Sequence, residues 1–283
     1  MTWRELYNEA SAQLGDRQAA RWFVEEASGG EWPSVLGELV PDRAGQVFAS
    51  LVRRRQGGEP VQYVLGHWAF RSLDLMVDKR ALIPRPETEV VVEVALRELE
   101  RLGPPAPLVV DLGTGSGAIA LSVAAERPAA TVWAADASAG ALQVASANLA
   151  ALGARGGGRA QLVQGSWWGA FPEDLRGLVD LAISNPPYIA AAERESLPPE
   201  VSDWEPLEAL VAGPTGLEAF EAILGGASKW LKPRSALVLE MAPSQVGPLA
   251  GLARGAGFSE VEVVPDLAGH ERVLVARRDA HSG

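Results

Sequence analysis

The chain has 283 residues, of which 47% are hydrophobic, and it carries a formal net charge of −11 at pH 7. This length suits one large domain or a main domain with a smaller partner, and no apolar run approaches the ~20 residues of a membrane-spanning helix. The acidic charge argues against a large nucleic-acid footprint, and the absence of cysteine excludes disulfides, thiolate zinc sites and cysteine nucleophiles.

The histidines and the start of the chain exclude further classes. His67, His270 and His281 are widely separated and lack metal-ligand spacing, so we expect no metal site. The first residues, M-T-W-R-E-L, are polar and acidic where a signal peptide would carry apolar residues. We therefore expect a cytoplasmic protein without a membrane partner.

Residues 1–58 have the pattern of a small helical bundle. Thr2 and Glu5 fit a capping box, and apolar residues follow at helical spacing. Asp16 can cap a second helix, and further apolar stripes continue to a pair of glycines at 57–58. The stretch has no catalytic-looking cluster, so we predict a domain that docks a substrate.

Residues 59–86 differ in character and predict a β-hairpin followed by a linker. Apolar residues alternate with polar ones in the strand pattern at Leu73, Leu75 and Val77. The segment L-I-P-R-P-E-T-E, which starts at Leu82, is stiffened by two prolines and suits one wall of a binding cleft. Thr88 is expected to cap the helix that follows.

A glycine loop follows the first buried strand of the third region, 87–283. Its sequence is D-L-G-T-G-S-G, and the glycines at 113, 115 and 117 allow close approach of a ligand to a helix N-terminus. The next strand ends at Asp136, 19 positions after Gly117, where a carboxylate can accept hydrogen bonds from ribose hydroxyls. This order predicts a nucleoside cofactor, and both S-adenosylmethionine and a nicotinamide dinucleotide fit it.

Two tryptophans, Trp167 and Trp168, follow the third strand at Gln161–Val163. An aromatic residue at this place could pack against an adenine, but a tryptophan of the core is nearly as consistent with the sequence. A glycine-rich turn at 154–159 precedes this strand.

The sequence L-A-I-S-N-P-P-Y, at Leu181–Tyr188, is the most informative motif of the chain. Its apolar run predicts a buried strand of a parallel sheet, so Asn185 lies at the carboxyl end of a strand, where open α/β sheets bind ligands. The two prolines lack an N–H, which leaves mostly acceptors beside the flat ring of Tyr188. Such a corner suits a planar NH2 group, although the same residues could merely form a turn.

The remaining pattern predicts more strands and helices. The expected helices lie near 217–231 and 245–255, and the expected strands near 236–240, 260–264 and 272–276.

The glycine loop, Asp136 and N-P-P-Y together resemble a class I S-adenosylmethionine-dependent methyltransferase. The segments G-E-P-V-Q-Y-V-L-G, L-I-P-R-P-E-T-E and E-P-L-E-A-L make nearly the whole chain similar to the peptide chain release factor glutamine methyltransferase family. The resemblance implies an α/β fold, Rossmann-like, with a mostly parallel sheet, an antiparallel last strand and a small N-terminal helical domain. It implies S-adenosylmethionine as cofactor and S-adenosylhomocysteine as product. The implied substrate is the glutamine of the Gly-Gly-Gln motif in bacterial class I release factors.

The resemblance also implies roles for single residues. The loop that would hold the methionine part of the cofactor consists of Gly113, Thr114, Gly115, Ser116 and Gly117. Asp136 would bind the ribose, Trp167 would flank the adenine, and Asn185 would contact both cofactor and substrate. The glutamine pocket would be completed by Pro186, Pro187 and Tyr188.

This chain departs from the family pattern at two places. Ser166 stands where an acidic residue often precedes the tryptophan, and Met241-Ala242 follow Glu240 where a glycine is commoner.

Three other classes are alternatives. An adenine methyltransferase of DNA or RNA shares the cofactor and N-P-P-Y but needs a basic groove, which this acidic chain does not predict. A dinucleotide oxidoreductase leaves N-P-P-Y unexplained, and a non-catalytic nucleoside-binding regulator needs no amide pocket.

Overall fold

The computed structural model of the protein describes residues 1–153 and 159–279. Most of the predicted glycine-rich turn at 154–159, all but Arg159, lies outside the described residues, as does His281. The chain forms two compact units. The smaller comprises Met1–Trp68 and Pro198–Trp204, and the larger comprises Ala69–Leu197 and Glu205–Gly283.

The described residues form these helices and strands, given in chain order. The helices are α1 (Trp3–Leu14), α2 (Arg17–Ser28), α3 (Asp42–Gln56), α4 (Val61–Leu65), α5 (Pro86–Leu102), α6 (Ala118–Glu126), α7 (Ala139–Leu152), α8 (Pro199–Ser202), α9 (Glu218–Trp230) and α10 (Val246–Gly255). The strands are β1 (His67–Phe70), β2 (Leu73–Met76), β3 (Leu108–Leu112), β4 (Thr131–Asp136), β5 (Ala160–Gln164), β6 (Val179–Ser184), β7 (Ile189–Ala190), β8 (Val211–Gly213), β9 (Leu231–Glu240), β10 (Glu260–Pro265) and β11 (Glu271–Arg277).

The smaller unit is helical, as the apolar spacing predicts. Thr2 and Glu5 form the expected capping box at the start of α1, and the Asp16 carboxylate accepts two backbone N–H groups at the start of α2. Buried side chains of four helices share one core, which includes Trp3, Phe23 and Phe48. Val64 of α4 belongs to the same core, so this packing extends beyond residue 58.

The two strands β1 and β2 pair with each other, joined by Arg71 and Ser72, at the place of the predicted hairpin.

The larger unit is built on a seven-stranded sheet in the order β10-β11-β9-β6-β3-β4-β5. The five strands from β9 to β5 are mutually parallel, and β11 runs antiparallel to both of its neighbours. A mostly parallel sheet with an antiparallel last strand is therefore confirmed. Such a sheet needs cover on both faces, because its strands alternate apolar side chains between two interiors.

Both faces of the sheet are covered by helices. On one face, Val109 of β3 and Leu181 of β6 belong to a core shared with α5 and α6. On the other face, Val110 and Ala182 belong to a core shared with α9 and α10. This arrangement leaves the carboxyl ends of the parallel strands as the edge where ligands can bind.

Among the helices of residues 1–153 and 159–279, no helix combines the length and the apolar character needed to cross a membrane.

Candidate active site

The glycine loop is fixed at the carboxyl end of β3. The N–H groups of Gly113 and Thr114 both donate to the Ala135 carbonyl at 2.9 Å, which attaches the loop to β4. Gly113, Gly115 and Gly117 have φ values of 80°, 57° and 88°, a left-handed conformation that side-chain-bearing residues rarely adopt. The three glycines are therefore required by the backbone path between β3 and α6.

The two polar side chains of the loop are directed into the protein. Thr114 and Ser116 are buried, and the Thr114 hydroxyl donates to Asp111 Oδ2 at 2.6 Å. The Ser116 carbonyl accepts a hydrogen bond from Asn148 Nδ2 at 2.9 Å. The loop thus offers a ligand mainly its backbone rather than hydroxyl groups.

Asp136, the last residue of β4, organises the adjacent loops. Its two carboxylate oxygens accept hydrogen bonds from the N–H groups of Gly115 and Ser138, each at 2.8 Å. Burial raises the pKa of Asp136, and these two N–H groups counteract the rise. A carboxylate oxygen can accept more than one hydrogen bond, so Asp136 retains capacity for hydroxyl donors from a ligand.

The structure separates the two tryptophans after β5. Trp168 belongs to the core: its Nε1 donates to the Ile223 carbonyl at 2.7 Å, and its ring stacks on Trp230. Trp167 lines the cavity beside the glycine loop instead, with a left-handed φ of 48°. Trp167 is therefore the ring available to a ligand, because the Trp168 ring is buried in the core.

The N-P-P-Y segment contributes to the same cavity through Asn185 and Pro187. Pro186 is buried, and Tyr188 packs against the core that lies between the sheet and α9. The Tyr188 carbonyl accepts a hydrogen bond from Gln245 Nε2 at 2.9 Å, and burial raises the pKa of its phenol to about 12. The segment is thus held rigidly, with Asn185 as its polar group at the cavity.

The cavity brings six of the sequence-predicted site residues into one place. It encloses about 800 Å³, including the part open to solvent. The predicted site residues that line it are Gly113, Gly115, Asp136, Trp167, Asn185 and Pro187. Its glycine loop, carboxylate and aromatic ring fit a nucleoside-containing ligand.

The other wall of the cavity comes from two segments that carry the family resemblance. Leu82 belongs to the first, and Pro206, Glu208 and Ala209 belong to the second. The buried Glu205 carboxylate joins these segments, because it binds the Arg85 guanidinium and accepts the Ile83 N–H at 3.1 Å. Arg80 also lines the cavity, and the sequence offers no local pattern that singles it out.

Thr88 does not cap a helix, contrary to the expectation. Helix α5 begins two residues earlier, at Pro86, and Arg85 occupies the N-cap position. Proline is favoured at the first helical position because its missing N–H needs no partner there. The Thr88 hydroxyl instead donates to Glu240 and accepts from Asn185.

Asp111 is a fully buried carboxyl group beneath the glycine loop. Its Oδ2 accepts from Thr114 and from the Ala120 N–H, while Oδ1 has no partner among the described residues. Burial raises the pKa of Asp111 to about 7, more than the Thr114 and Ala120 hydrogen bonds lower it. The neutral acid is therefore favoured in the fold far more than in the unfolded chain.

We expect this carboxyl group to make the protein less stable as pH rises from about 4 to about 7. An acid whose pKa is higher in the folded state contributes stability that is fully present below the unfolded pKa and is lost progressively as the pH rises to the folded value. The unfolding free energy should therefore fall between the ordinary aspartate pKa, about 4, and the folded pKa, about 7, by ~1.4 kcal/mol for each unit of pKa difference. Asp111→Asn cannot ionise, so its melting temperature should change less over this range. An equal change in both proteins would contradict the assignment.

Comparison with known proteins first defines the class. Residues 93–197 match the family model of the methyltransferase small domain. A methyltransferase from Pyrococcus furiosus has a similar fold, with a TM-score of 0.53 at 16% identity, covering 84% of this chain and 98% of that chain. The protein is a methyltransferase of the Rossmann-like α/β class, and this family and fold imply S-adenosylmethionine as methyl donor.

Closer relatives then define the family. The release factor glutamine methyltransferase of Cereibacter sphaeroides is 43% identical over 245 residues, which are 87% of this chain and 84% of that protein. The release factor glutamine methyltransferase of Gloeobacter violaceus is 40% identical over 280 residues, 96% of this chain and 95% of that protein. The chain belongs to the release factor glutamine methyltransferase family.

Proposed function

We propose that the protein methylates the side-chain amide nitrogen of the glutamine in the Gly-Gly-Gln motif of class I peptide chain release factors. The methyl group would come from S-adenosylmethionine, and S-adenosylhomocysteine would be released. The observation that carries this proposal is Asn185, a side-chain amide at the end of β6 that shares one cavity with the glycine loop. Its neighbours Pro186 and Pro187 lack N–H donors, which suits an NH2-bearing substrate.

We propose that the cofactor lies along the carboxyl ends of β3, β4 and β5. The backbone from Gly113 to Gly117 would hold its methionine part, Asp136 would accept hydrogen bonds from its ribose, and Trp167 would flank its adenine. The left-handed glycines support the first assignment, since they expose backbone without side chains. The carboxylate and ring that line the cavity support the other two.

The proposed chemistry depends on positioning rather than on a strong base. An amide nitrogen is a poor nucleophile because its lone pair is delocalised into the carbonyl group. The bound cofactor supplies a sulfonium methyl group, which is a strong electrophile. Asn185 and the Pro186 carbonyl would accept the two N–H hydrogens of the glutamine and so fix the direction of its nitrogen. Alignment of this kind can supply ~7–11 kcal/mol of a barrier.

Atoms and charge balance in this step. The glutamine nitrogen forms a bond to the methyl carbon as the carbon–sulfur bond breaks, and sulfur keeps the electron pair. The positive charge moves to the nitrogen, which then loses one proton to water.

We further propose that residues 1–58, within the helical unit, dock the release factor. The observation in support is that the cavity-lining residues and the glycine loop belong to the larger unit, which leaves the helical unit without a part in the chemistry.

Incubation with radiolabelled S-adenosylmethionine separates this function from its nearest alternative. Label should enter a class I release factor and not duplex DNA, because a chain with a net charge of −11 is poorly suited to a phosphate backbone. A release factor whose Gly-Gly-Gln glutamine is replaced by alanine is the matched control and should stay unlabelled. Label in DNA, or equal label in the alanine control, would overturn the proposal.

A further inference from the structure

A chain of hydrogen bonds runs from Asn185 into the interior of the larger unit. Asn185 Nδ2 donates to Thr88 Oγ1 at 3.1 Å, and Thr88 Oγ1 donates to Glu240 Oε2 at 2.6 Å. The Thr88 and Glu240 side chains are buried, with 4% and 2% of each residue exposed. The three residues come from the end of β6, the first turn of α5 and the end of β9, so they are far apart in sequence.

The direction of this chain follows from counting hydrogens. A threonine hydroxyl has one hydrogen to donate, and an ionised carboxylate can only accept. While Glu240 is ionised, the Thr88 hydrogen is committed to Glu240, and Thr88 can only accept from Asn185. The NH2 group of Asn185 must then face Thr88, which leaves its carbonyl oxygen for the cavity.

We propose that Thr88 and Glu240 are positioning residues, which hold the Asn185 carbonyl oxygen in the direction that accepts the substrate NH2 group. This inference rests on the proposed function, because only a donor on the substrate gives the orientation of Asn185 a purpose. With the opposite orientation, two NH2 groups would face each other, and the reacting nitrogen would lose an acceptor.

The charges around Glu240 make this chain of hydrogen bonds sensitive to pH. Burial raises the pKa of Glu240 to about 7, and the Glu87 charge acts in the same direction. The Thr88 hydrogen bond and the Arg272 and Arg85 guanidinium groups oppose this rise. Tyr188 also feels the Glu240 charge, but its own phenol has a pKa of about 12 and stays neutral. A protonated Glu240 can donate to Thr88, which frees the Thr88 hydrogen for the Asn185 carbonyl. The Asn185 side-chain amide then rotates and presents its NH2 group, rather than its carbonyl oxygen, to the substrate.

Two substitutions at Thr88 distinguish positioning from packing. Thr88→Val keeps the shape of the side chain and removes the hydroxyl, whereas Thr88→Ser keeps the hydroxyl and removes a methyl group. Positioning predicts that Val lowers the single-turnover methylation rate about tenfold, the loss expected for one neutral hydrogen bond, while Ser stays within about twofold of the wild-type rate. Packing alone predicts the opposite order. Cofactor affinity should be unchanged within about twofold in both variants, since Thr88 does not line the cavity.

The pH profile gives a second readout. The wild-type single-turnover rate should rise with pH as Glu240 ionises, and Glu240→Gln should lose this rise, since a glutamine amide does not titrate in this range. A wild-type rate in Thr88→Val, a greater loss in Ser than in Val, or an unchanged profile in Glu240→Gln would each overturn the inference.

The hydrogen bonds from Asn185 through Thr88 to Glu240 can also be observed without catalysis. The side-chain NH2 resonance of Asn185, assigned by its loss in Asn185→Ala, should shift with a midpoint near neutral pH in the wild type and stay constant in Glu240→Gln. An Asn185 resonance that does not shift with pH in the wild type refutes the inference, whether or not the protein has methyltransferase activity. Conversely, a titrating resonance in a protein without release factor activity would refute the proposed function and leave the hydrogen-bond chain standing.

Discussion

Asn185→Ala should lower the single-turnover methylation rate of a release factor by ~10²–10³, the usual cost of one lost electrostatic or positioning contact. The alanine removes the acceptor proposed for the substrate NH2 group and leaves the reacting amide able to rotate. Because Asn185 also donates to Thr88 at 3.1 Å, some stability should be lost as well. That loss should be only ~1 kcal/mol, the value of one neutral hydrogen bond.

Melting temperature measured beside the rate separates chemistry from folding. Asp174→Ala is the control, since Asp174 is exposed and belongs to the larger unit, outside the proposed docking residues. At saturating release factor it should leave both quantities near the wild-type values. A folded Asn185→Ala protein with a near-normal rate would remove Asn185 from the mechanism, and a parallel loss of stability and rate would reduce it to a turn residue.

Asp136→Ala should weaken S-adenosylmethionine binding by at least about tenfold. A charged acceptor facing ribose hydroxyls contributes ~1.5–3 kcal/mol. The substitution also releases the N–H groups of Gly115 and Ser138, which now share the carboxylate. The glycine loop should therefore lose order, which adds to the loss of affinity.

Calorimetric titration with two further variants tests this prediction. Asp174→Ala removes an exposed carboxylate of the same unit and should bind the cofactor normally. Asp136→Asn retains one acceptor oxygen and should lie between wild type and alanine. A dissociation constant unchanged in Asp136→Ala would contradict the ribose assignment.

The larger unit follows from local patterns in the sequence to a great extent. Short apolar runs at Leu108–Val110, Thr131–Ala135 and Leu181–Ser184 become parallel strands, because each run is bounded by glycines, prolines or polar residues. Glycine at 113, 115 and 117 predicted the loop correctly, since glycine adopts its left-handed backbone without the steric cost that a side chain brings. These signals act over a few residues, and a single sequence displays them directly.

Contacts between residues that are far apart in the sequence leave no local pattern of this kind. Thr88 meets Glu240 across 152 positions and Asn185 across 97, so helical or strand periodicity cannot reveal either pair. Thr88 looked like a helix cap because its hydroxyl is the usual capping group, but Pro86 starts the helix earlier. The choice between Trp167 and Trp168 likewise depends on a distant contact, the hydrogen bond from Trp168 to Ile223 across 55 positions.

The most direct test of the proposed function is the position of the methyl group. A class I release factor incubated with the protein and S-adenosylmethionine can be digested, and its Gly-Gly-Gln peptide fragmented in a mass spectrometer. We expect one added methyl group, carried by the side-chain nitrogen of the glutamine in wild-type reactions and strongly reduced with Asn185→Ala. An unmodified peptide, or a methyl group on any other residue, would contradict the proposed function.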